Sequence, residues 1–291
     1  MTAGLRLASG LLVMTVYALV LKPSTTAVAP RGESTDASVE KWLGLSNDAL
    51  EAGRYGDALE PTSWLVERFP HQQVYAERLA RIYEKLGRPA DEAAAWERFV
   101  ASSPTPVDAC PAIGDAYARA GDNTKALDAF ERCVSFDPRN TEQLFFLARA
   151  YERAGRTADA ATRYTESVSR DPSNADSQLG LGRLALRAGK LPEAGRAAAN
   201  VLDRFPSNAD ALLLAGLVSE RQGRLQNARD FLERGLAAAE HYVDVHIALG
   251  RVDATMGRRA EARRHFERAL ELDPGRRSEI AVWLERTGPG R

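Results

Sequence analysis

Four histidines and two cysteines are the side chains of this 291-residue chain best suited to hold a metal ion or to act as nucleophiles. The histidines are His71, His241, His246 and His265. None lies in the HExxH spacing that places two imidazoles and a carboxylate on one helix, and none is next to a cysteine. The sequence therefore predicts no metal site and no cofactor, and each histidine is interpreted as a surface or groove residue.

Two glycine-containing segments have the composition of nucleotide-binding loops, and both fail on their context. Residues 180–185 read GLGRLA, but no strand precedes them and no turn leads from them into a helix. Residues 121–125 read GDNTK and lack the glycine that precedes the lysine of a phosphate-binding loop. No nucleophile, base and orienting residue occur in a recognisable catalytic frame. The sequence therefore predicts a chain that is not an enzyme.

Charge gives no sign of a nucleic-acid partner. The formal net charge is −1, so the chain has no bulk attraction to nucleic acid or to an anionic membrane. Arginine outnumbers lysine by 34 to 5 and alanine is abundant, a bias that suggests a GC-rich bacterial genome.

Glycine and proline recur along the chain with one period. Seven glycines stand 34 residues apart, at Gly53, Gly87, Gly121, Gly155, Gly189, Gly223 and Gly257. Six prolines keep the same period 17 residues later, at Pro70, Pro104, Pro138, Pro172, Pro206 and Pro274. A period of this length indicates stacked repeats. We predict seven units, at residues 39–72, 73–106, 107–140, 141–174, 175–208, 209–242 and 243–276.

Each unit has the pattern of two amphipathic helices joined by a tight turn. In residues 107–140 the two apolar stripes are Cys110, Ile113, Gly114 and Tyr117, then Ala126, Leu127, Phe130, Cys133 and Val134. Their spacings of three and four are those of helix faces. Gly121 can end the first helix in a left-handed conformation, and Pro138 stops the second. A single hairpin cannot cover both stripes, so neighbouring units must stack.

Small residues recur where the two helices of a unit are expected to cross. The pairs are Gly114 with Ala126, Ala148 with Ala160, Gly182 with Ala194, Gly216 with Ala228, and Gly250 with Ala262. A larger side chain there would push the helix axes apart, at a cost of roughly 1–3 kcal/mol for overpacking. The sequence thus predicts closely packed helix pairs.

This pattern resembles the tetratricopeptide repeat family. The resemblance is carried by Ile113-Gly114, Tyr117, Gly121, Ala126, Phe130 and Pro138, and again by Leu249-Gly250, Gly257, Ala262, Phe266, Ala269 and Pro274. Four positions depart from it: Glu92 replaces a small alanine, Glu240 a proline, and Ala185 and Ser219 a tyrosine. The resemblance implies an all-α fold, a right-handed superhelical solenoid of seven 34-residue helix-turn-helix repeats with a C-terminal capping helix. It also implies a concave groove lined by first helices.

The family geometry places an apolar strip beside a cationic strip in this groove. The predicted partner-binding residues are Arg81, Phe145, Arg149, Arg153, Leu179, Arg183, Arg187, Leu213, Arg221, Ile247 and Arg251. The resemblance implies a protein or peptide partner. These residues favour an acidic peptide with apolar anchors, its carboxylates bound by the planar guanidinium groups.

A second interpretation of the arginines needs no ligand. A cation in the last turn of a helix offsets the helix dipole, which accounts for Arg119, Arg153, Arg187 and Arg221. Carboxylates of the chain itself are also available as partners, at Glu142, Glu152, Asp176, Asp210 and Glu220. Both interpretations stay open at the level of the sequence.

The two ends of the chain differ from the repeats. Residues 277–291 are predicted to form a capping helix and tail, with Ile280, Trp283 and Leu284 on the apolar side. Residues 7–21 are an uncharged run that is shorter than a typical membrane-spanning helix. Residues 1–29 are therefore interpreted as a secretory signal peptide or an N-terminal membrane anchor, both alternatives remaining open, and residues 30–38 as a linker.

The two cysteines fall in one predicted hairpin. Cys110 is near the start of its first helix and Cys133 near the end of its second, and antiparallel helices bring these ends together. In an oxidising compartment the two can form a disulfide. The alternative is two small buried residues, with Cys133 in place of the usual alanine.

Together these features predict a non-catalytic scaffold for protein–protein interaction in the bacterial cell envelope. It would be exported to the periplasm or anchored to the inner membrane, with membrane contact only through the N-terminal segment. Two other functions fit the same sequence. One is an accessory subunit of an enzyme or of a secretion or assembly system, and the other is a self-associating structural protein. The sequence predicts no oligomeric state.

Overall fold

The computed structural model describes residues 37–102 and 109–287, and within these ranges the regular elements are all helical. In chain order they are α1 (Ala37–Glu51), α2 (Tyr55–Arg68), α3 (Gln73–Lys85), α4 (Pro89–Ser102), α5 (Cys110–Arg119), α6 (Asn123–Phe136), α7 (Thr141–Arg153), α8 (Thr157–Arg170), α9 (Ala175–Arg187), α10 (Leu191–Arg204), α11 (Ala209–Arg221), α12 (Leu225–Ala238), α13 (Val243–Thr255), α14 (Arg259–Leu272) and α15 (Arg277–Thr287). A short 3₁₀ helix, Pro274–Arg276, precedes α15.

The predicted signal peptide or anchor at residues 1–29 lies outside the described residues, as does the linker at 30–38 except for its last two positions. Among the helices that the structure does describe, none is both long enough and apolar enough to cross a membrane.

The helices form two compact units, the N-terminal unit with α1 to α8 and the C-terminal unit with α9 to α15. Within each unit, helices that follow one another in the chain also pack on one another, so that antiparallel hairpins stack in order. In the C-terminal unit, the first helices of successive hairpins also touch, because α11 contacts both α9 and α13. The predicted all-α solenoid is confirmed. The number of repeats and their boundaries stay predictions.

A left-handed glycine follows the first helix of each described hairpin. These residues are Gly53, Gly87, Gly121, Gly155, Gly189, Gly223 and Gly257, with φ between 66° and 82°. At Gly121 the turn is closed by its own N–H, which donates to the Ala118 carbonyl (3.1 Å), and by the Asp122 N–H, which donates to the Tyr117 carbonyl (2.9 Å). Glycine takes this φ without the steric cost of a Cβ atom, which explains the period of 34.

Asparagine caps three of the first helices. The side chains of Asn140, Asn174 and Asn208 accept hydrogen bonds from backbone N–H groups at the starts of α7, α9 and α11. Such caps satisfy donors that the first helical turn leaves unpaired. At α13 the corresponding residue is Tyr242, whose hydroxyl donates instead to Asp210 in α11.

In two of the hairpins the helices cross where the first helix has no side chain. A Cβ atom on Gly114 would lie 2.3 Å from the Phe130 ring, and one on Gly250 would lie 2.5 Å from the Phe266 ring. Both rings are buried, so neither can move aside easily. At these two crossings the helices therefore pack as closely as the small residues predict, with an aromatic ring lying directly on the glycine.

Helix α15 covers the apolar end of the last hairpin. Ile280 is fully buried among residues that include Phe266 and Ala269. Trp283 stacks on Phe266 with ring centroids 6.3 Å apart, and Leu284 packs against the same cluster. The residues predicted to form the apolar side of the capping helix thus face the repeats.

Replacement of Gly250 by alanine should destabilise the fold, whereas the same replacement of a glycine inside an open helix usually stabilises it. Gly250→Ala should destabilise the fold by about 1–3 kcal/mol, because the added methyl group meets the buried Phe266 ring. The matched control is Gly44→Ala in α1, where no neighbouring atom lies within 4 Å of the added carbon. That change should stabilise by about 0.5–1 kcal/mol through helix propensity alone. Urea unfolding of both variants measures the two changes, and effects of the same sign would contradict the packing argument.

Candidate functional site on the first helices

The first helices of the C-terminal unit lie side by side and present a mixed apolar and cationic surface. Leu213, Leu217 and Arg221 on α11 are four residues apart and so share one helix face, and Arg183 and Arg187 have the same spacing on α9. These five residues are called the first-helix wall below. The two leucines are half-buried and the three arginines are exposed.

Two of the predicted apolar anchors are not on an open surface. Leu179 and Ile247 are only 1% and 3% exposed. Leu179 packs among buried residues of α10 and α11, and Ile247 packs in a cluster with Phe266 and Ile280. Stacking of the hairpins uses both side chains, so neither offers area to a partner.

Three of the predicted groove arginines are engaged by carboxylates of the chain. The pairs are Arg251 with Glu220 at 2.6 Å, Arg81 with Glu77 at 2.7 Å, and Arg153 with Asp115 at 3.9 Å. The first of them joins α13 to α11 and is the best shielded from solvent. Internal pairing, which the sequence left open, therefore occurs at these positions.

Arg183 and Arg221 differ from those three. Both are exposed, and within the described part of the chain no carboxylate lies at ion-pair distance from either guanidinium group. The wall thus combines two half-buried leucines with at least two cations whose charge is not offset by a contacting carboxylate of the described chain.

Tyr242 holds a carboxylate near this surface. Its hydroxyl donates to Asp210 at the start of α11. Burial, and then the negative charge of Asp210, raise the pKa of Tyr242, while the nearby Arg183 acts in the opposite direction. The phenol therefore stays protonated and keeps the Asp210 carboxylate occupied.

In the N-terminal unit, the predicted residues Phe145 and Arg149 form one stack on α7. The Arg149 guanidinium lies 5.6 Å from the centroid of the Phe145 ring. That ring packs in turn against Phe146 and Tyr164, with centroids 5.5 and 6.0 Å away. A cation over an aromatic face is attractive, so this contact orients Arg149 along its own helix.

Two histidines are not the surface or groove residues that the sequence suggested. His71 and His241 are exposed, but His246 is buried and His265 is half-buried. The Nδ1 atoms of His246 and His265 are 3.1 Å apart. The available signal was their position on either side of the Gly257 turn, which brings α13 and α14 face to face. In the residues described, no three or more His, Cys, Asp or Glu side chains are arranged to hold a metal ion.

Glu92, which replaces the family's small alanine, is a buried carboxylate that forms an ion pair with the next hairpin. It lies on α4 and is 3% exposed. Arg119 in the last turn of α5 donates to both of its carboxylate oxygens at 2.7 Å. Burial raises the pKa of the Glu92 carboxyl, and the hydrogen bonds and charge of Arg119 oppose that shift. Arg119, which is expected at the end of α5 because a cation there offsets the helix dipole, therefore also compensates the buried charge of Glu92.

Comparison with sequence families agrees with this architecture. A family profile described as Tetratricopeptide repeat matches residues 43–106, 112–175, 147–202 and 179–242. A second profile with the same description matches residues 219–281, so the matches span most of the chain. The chain belongs to the tetratricopeptide repeat family. No curated protein matches this tetratricopeptide repeat chain in sequence.

Solved structures share the tetratricopeptide repeat fold at low sequence identity. A tetratricopeptide repeat protein from Parabacteroides merdae has a TM-score of 0.71 and 15% identity, over 87% of this chain and 99% of its own. A chain of the APC/C hetero-tetramer Cut9-Hcn1 has a TM-score of 0.66 and 17% identity, and the match covers 86% of this chain and 46% of its own. A thermophilic tetratricopeptide repeat protein from Thermus thermophilus has a TM-score of 0.56 and 23% identity, and the match covers 62% of this chain and 98% of its own. At these identities the likeness concerns the fold alone.

The two cysteines of this tetratricopeptide repeat protein meet across one hairpin. Cys110 at the start of α5 and Cys133 in α6 are joined as a disulfide, with Cα atoms 5.5 Å apart. Both residues are buried. The antiparallel course of α5 and α6 brings the two positions together, as their spacing suggests.

Removing the cation that pairs with the buried Glu92 carboxylate should reveal the cost of burying that charge. Arg119→Ala is expected to destabilise by about 1–3 kcal/mol at neutral pH, because the carboxylate stays buried and loses both hydrogen bonds from the guanidinium group. Glu92→Ala restores the family's small residue, and adding it to Arg119→Ala should recover most of the loss. Urea unfolding of the two single variants and the double variant measures these changes.

The loss of unfolding free energy in Arg119→Ala should also depend on pH, and it should be smaller in acid. The folded-state pKa of Glu92 lies above its unfolded value and rises further without Arg119, so the folded chain then binds a proton more readily than the unfolded chain. The destabilisation should therefore shrink as the pH falls toward about 5. A loss that is the same at all pH values, or that persists in the double variant, would contradict this account of the pair.

Proposed function

We propose that this tetratricopeptide repeat protein is a non-catalytic scaffold whose first-helix wall binds a segment of a partner protein that carries carboxylates next to apolar side chains. The repeats themselves indicate a scaffold for protein–protein interaction. The chemistry of the wall supplies the class of partner.

The exposure of Arg183 and Arg221, with no carboxylate of the described residues at ion-pair distance, is the observation that carries the proposal. Other groove arginines, Arg81, Arg153 and Arg251, are already paired within the chain. A guanidinium group without such a pair can donate two parallel hydrogen bonds to an incoming carboxylate and breaks no ion pair in doing so. The geometry therefore favours an acidic group at these two points.

Leu213 and Leu217 supply the apolar part of the surface. Each is half-buried among side chains of α12 and α13 and keeps part of its area on the wall. Because α9, α11 and α13 are already packed together, a docking segment meets a preformed surface. Little conformational entropy is then lost on the scaffold's side of the complex.

A location in the bacterial envelope is supported by two features. The apolar run at residues 7–21 has the composition of the core of an export signal. The disulfide between Cys110 and Cys133 is a bond that persists in oxidising compartments such as the periplasm. Our proposal for the location is therefore the periplasm or the inner membrane, with attachment there through the N-terminal segment.

The wall is tested with a displayed library of random peptides selected on the full chain. Selected peptides should combine Asp or Glu with large apolar residues. Arg183→Glu together with Arg221→Glu should weaken their binding by about tenfold or more, since each substitution replaces a charge-assisted hydrogen bond with repulsion. Fluorescence anisotropy of labelled peptides measures the affinities.

A matched control carries the same change in net charge on the second helix α10. Arg196→Glu together with Arg204→Glu alters two exposed arginines of the same unit that are not on the wall. Binding should be nearly unchanged in this control. Equal losses in the two double variants, or selection of peptides without acidic residues, would overturn the proposed partner chemistry.

Export and the disulfide are tested by intact mass. The full chain produced in a bacterium with an oxidising periplasm should gain the mass of two hydrogen atoms on reduction. The same chain without residues 1–29, retained in the reducing cytoplasm, should show no such gain. A full chain whose mass does not change on reduction would contradict the envelope location.

A further inference from the structure

Two imidazole rings meet between the helices of the last hairpin. His246 of α13 is 6% exposed, and its Nδ1 atom lies 3.1 Å from Nδ1 of His265 on α14. The other ring nitrogen of His246, Nε2, lies 3.2 Å from the backbone carbonyl oxygen of Glu240. Both nitrogens of His246 therefore face a hydrogen-bonding group of the protein.

A buried carboxylate lies on the far side of the pair. Asp253 of α13 is fully buried, and its Oδ1 atom accepts a hydrogen bond from Arg229 Nε on α12 at 3.0 Å. Its Oδ2 atom is also buried and accepts no hydrogen bond from the part of the chain that the structure describes. Nε2 of His265 lies 3.8 Å from this Oδ2 atom, close enough for an ion pair when the imidazole is protonated.

The pair of imidazoles has room for a limited number of protons. Three places call for an N–H group: the gap between the two Nδ1 atoms, the Glu240 carbonyl, and the Asp253 Oδ2 atom. Two neutral imidazoles carry only two N–H groups, because each has one donor and one acceptor nitrogen. One additional proton supplies the third. A second additional proton would place N–H against N–H across the 3.1 Å gap.

The surrounding charges also act against a second proton. Arg229 on α12 and Arg264 on α14 face His265, and Arg268 on α14 and His241 before α13 face His246. Of the nearby carboxylates, Asp253 is shared with Arg229, and Glu233 on α12 pairs with that same arginine at 2.7 Å. On the next element, Arg276 is engaged by Asp244. Burial is the largest cause that lowers the pKa of both histidines, and the neighbouring cations add to it. The Glu240 carbonyl opposes the shift at His246, and Asp253 opposes it at His265.

We propose that the His246–His265 pair makes closure of the α13–α14 hairpin sensitive to pH. The closed hairpin holds at most one additional proton on the pair, and a second proton separates α14 from α13. Helix α14 supplies Phe266, which lies on Gly250 and in the cluster around Ile247. Opening of the hairpin therefore exposes Ile247, a side chain at a groove position that is buried while the hairpin is closed.

The direction of the pH dependence follows from proton counts. In the unfolded chain both histidines become charged as the pH falls through about 6.5. The closed hairpin takes up fewer protons over the same range, so stability rises with pH and falls on acidification. For each proton that the closed state does not bind, the opening equilibrium constant increases tenfold per pH unit. The part of the hairpin's stability that depends on the uncharged histidines is fully present above about pH 7.5. It is lost progressively as the pH falls toward about 5.

The first measurement counts protons in the full chain. With only four histidines, ¹⁵N-labelled imidazoles can be followed individually by NMR, and the same chain in urea gives the unfolded reference. By about pH 5 the pair should have bound at least one proton fewer in the folded chain than in urea. Two protons bound by the folded chain with the pH profile of the urea sample would overturn the proposal.

The second measurement follows the opening itself by hydrogen exchange. After correction for the intrinsic rate, protection in α13 and α14 should fall between about pH 7.5 and 5 by tenfold or more relative to α9 and α10. His265→Gln should remove this additional pH dependence, because an amide supplies a donor and an acceptor without titrating. His246→Gln should also remove the additional pH dependence, and this variant is used if His265→Gln does not fold.

His71→Gln, at an exposed turn in the N-terminal unit, is the control and should keep the wild-type pH dependence. A wild-type protection ratio that does not change with pH would contradict the proposal. So would glutamine variants that retain the wild-type loss.

Discussion

Close approach of the two helix axes within a hairpin is the constraint on which the other features depend. At Gly114 and Gly250, an aromatic ring of the second helix lies where a side chain of the first would otherwise be. Because the ring is buried there, the hairpin has a closed interior, and its remaining apolar residues are left for contact with the next hairpin. In the C-terminal unit this stacking brings α9, α11 and α13 into contact. The first-helix wall depends on this stacking, because its residues come from adjacent first helices.

Two positions that break the repeat place polar groups between successive hairpins. Glu92 stands where the family has a small residue, and it needs Arg119 of the next hairpin to compensate its charge. Tyr242 stands where three other hairpins have a capping asparagine, and it bonds a carboxylate on α11. In each case a residue that departs from the period makes a contact between successive hairpins. The departures therefore distinguish one interface from another in an otherwise uniform stack.

The period in the sequence was sufficient to predict the helices, the glycine turns and the apolar side of the C-terminal capping helix, because each depends on local conformation or on the nearest hairpin. Gly121 and Ile280 are examples, since one requires a left-handed φ and the other fills the last open face. The exposure of a groove position could not be predicted in this way. Leu179 and Ile247 occupy the same repeat position as Leu213, yet they are buried, because exposure depends on how far neighbouring side chains reach.

The pairing of charged side chains could not be predicted from the sequence either, because these side chains are long and can reach several partners. Glu220 was a candidate partner for a groove arginine, but the choice of Arg251 depends on rotamers and on the stacking of α11 against α13. The contact between His246 and His265 has the same origin, because two side chains of adjacent helices meet only when both point into the same gap. The predictions for residues 1–29 and for the partner itself stay predictions.

The turn glycines have one practical consequence for the molecule. Around Gly155, Gly189 and Gly223 no neighbouring atom lies within 4 Å of the place where a side chain would begin. The loops are therefore points at which the chain can be lengthened, labelled or fused to another domain while the stack behind them keeps its spacing, provided that a left-handed residue is retained. An extended loop at any of these turns would add a new binding element next to the hairpin to which the turn belongs.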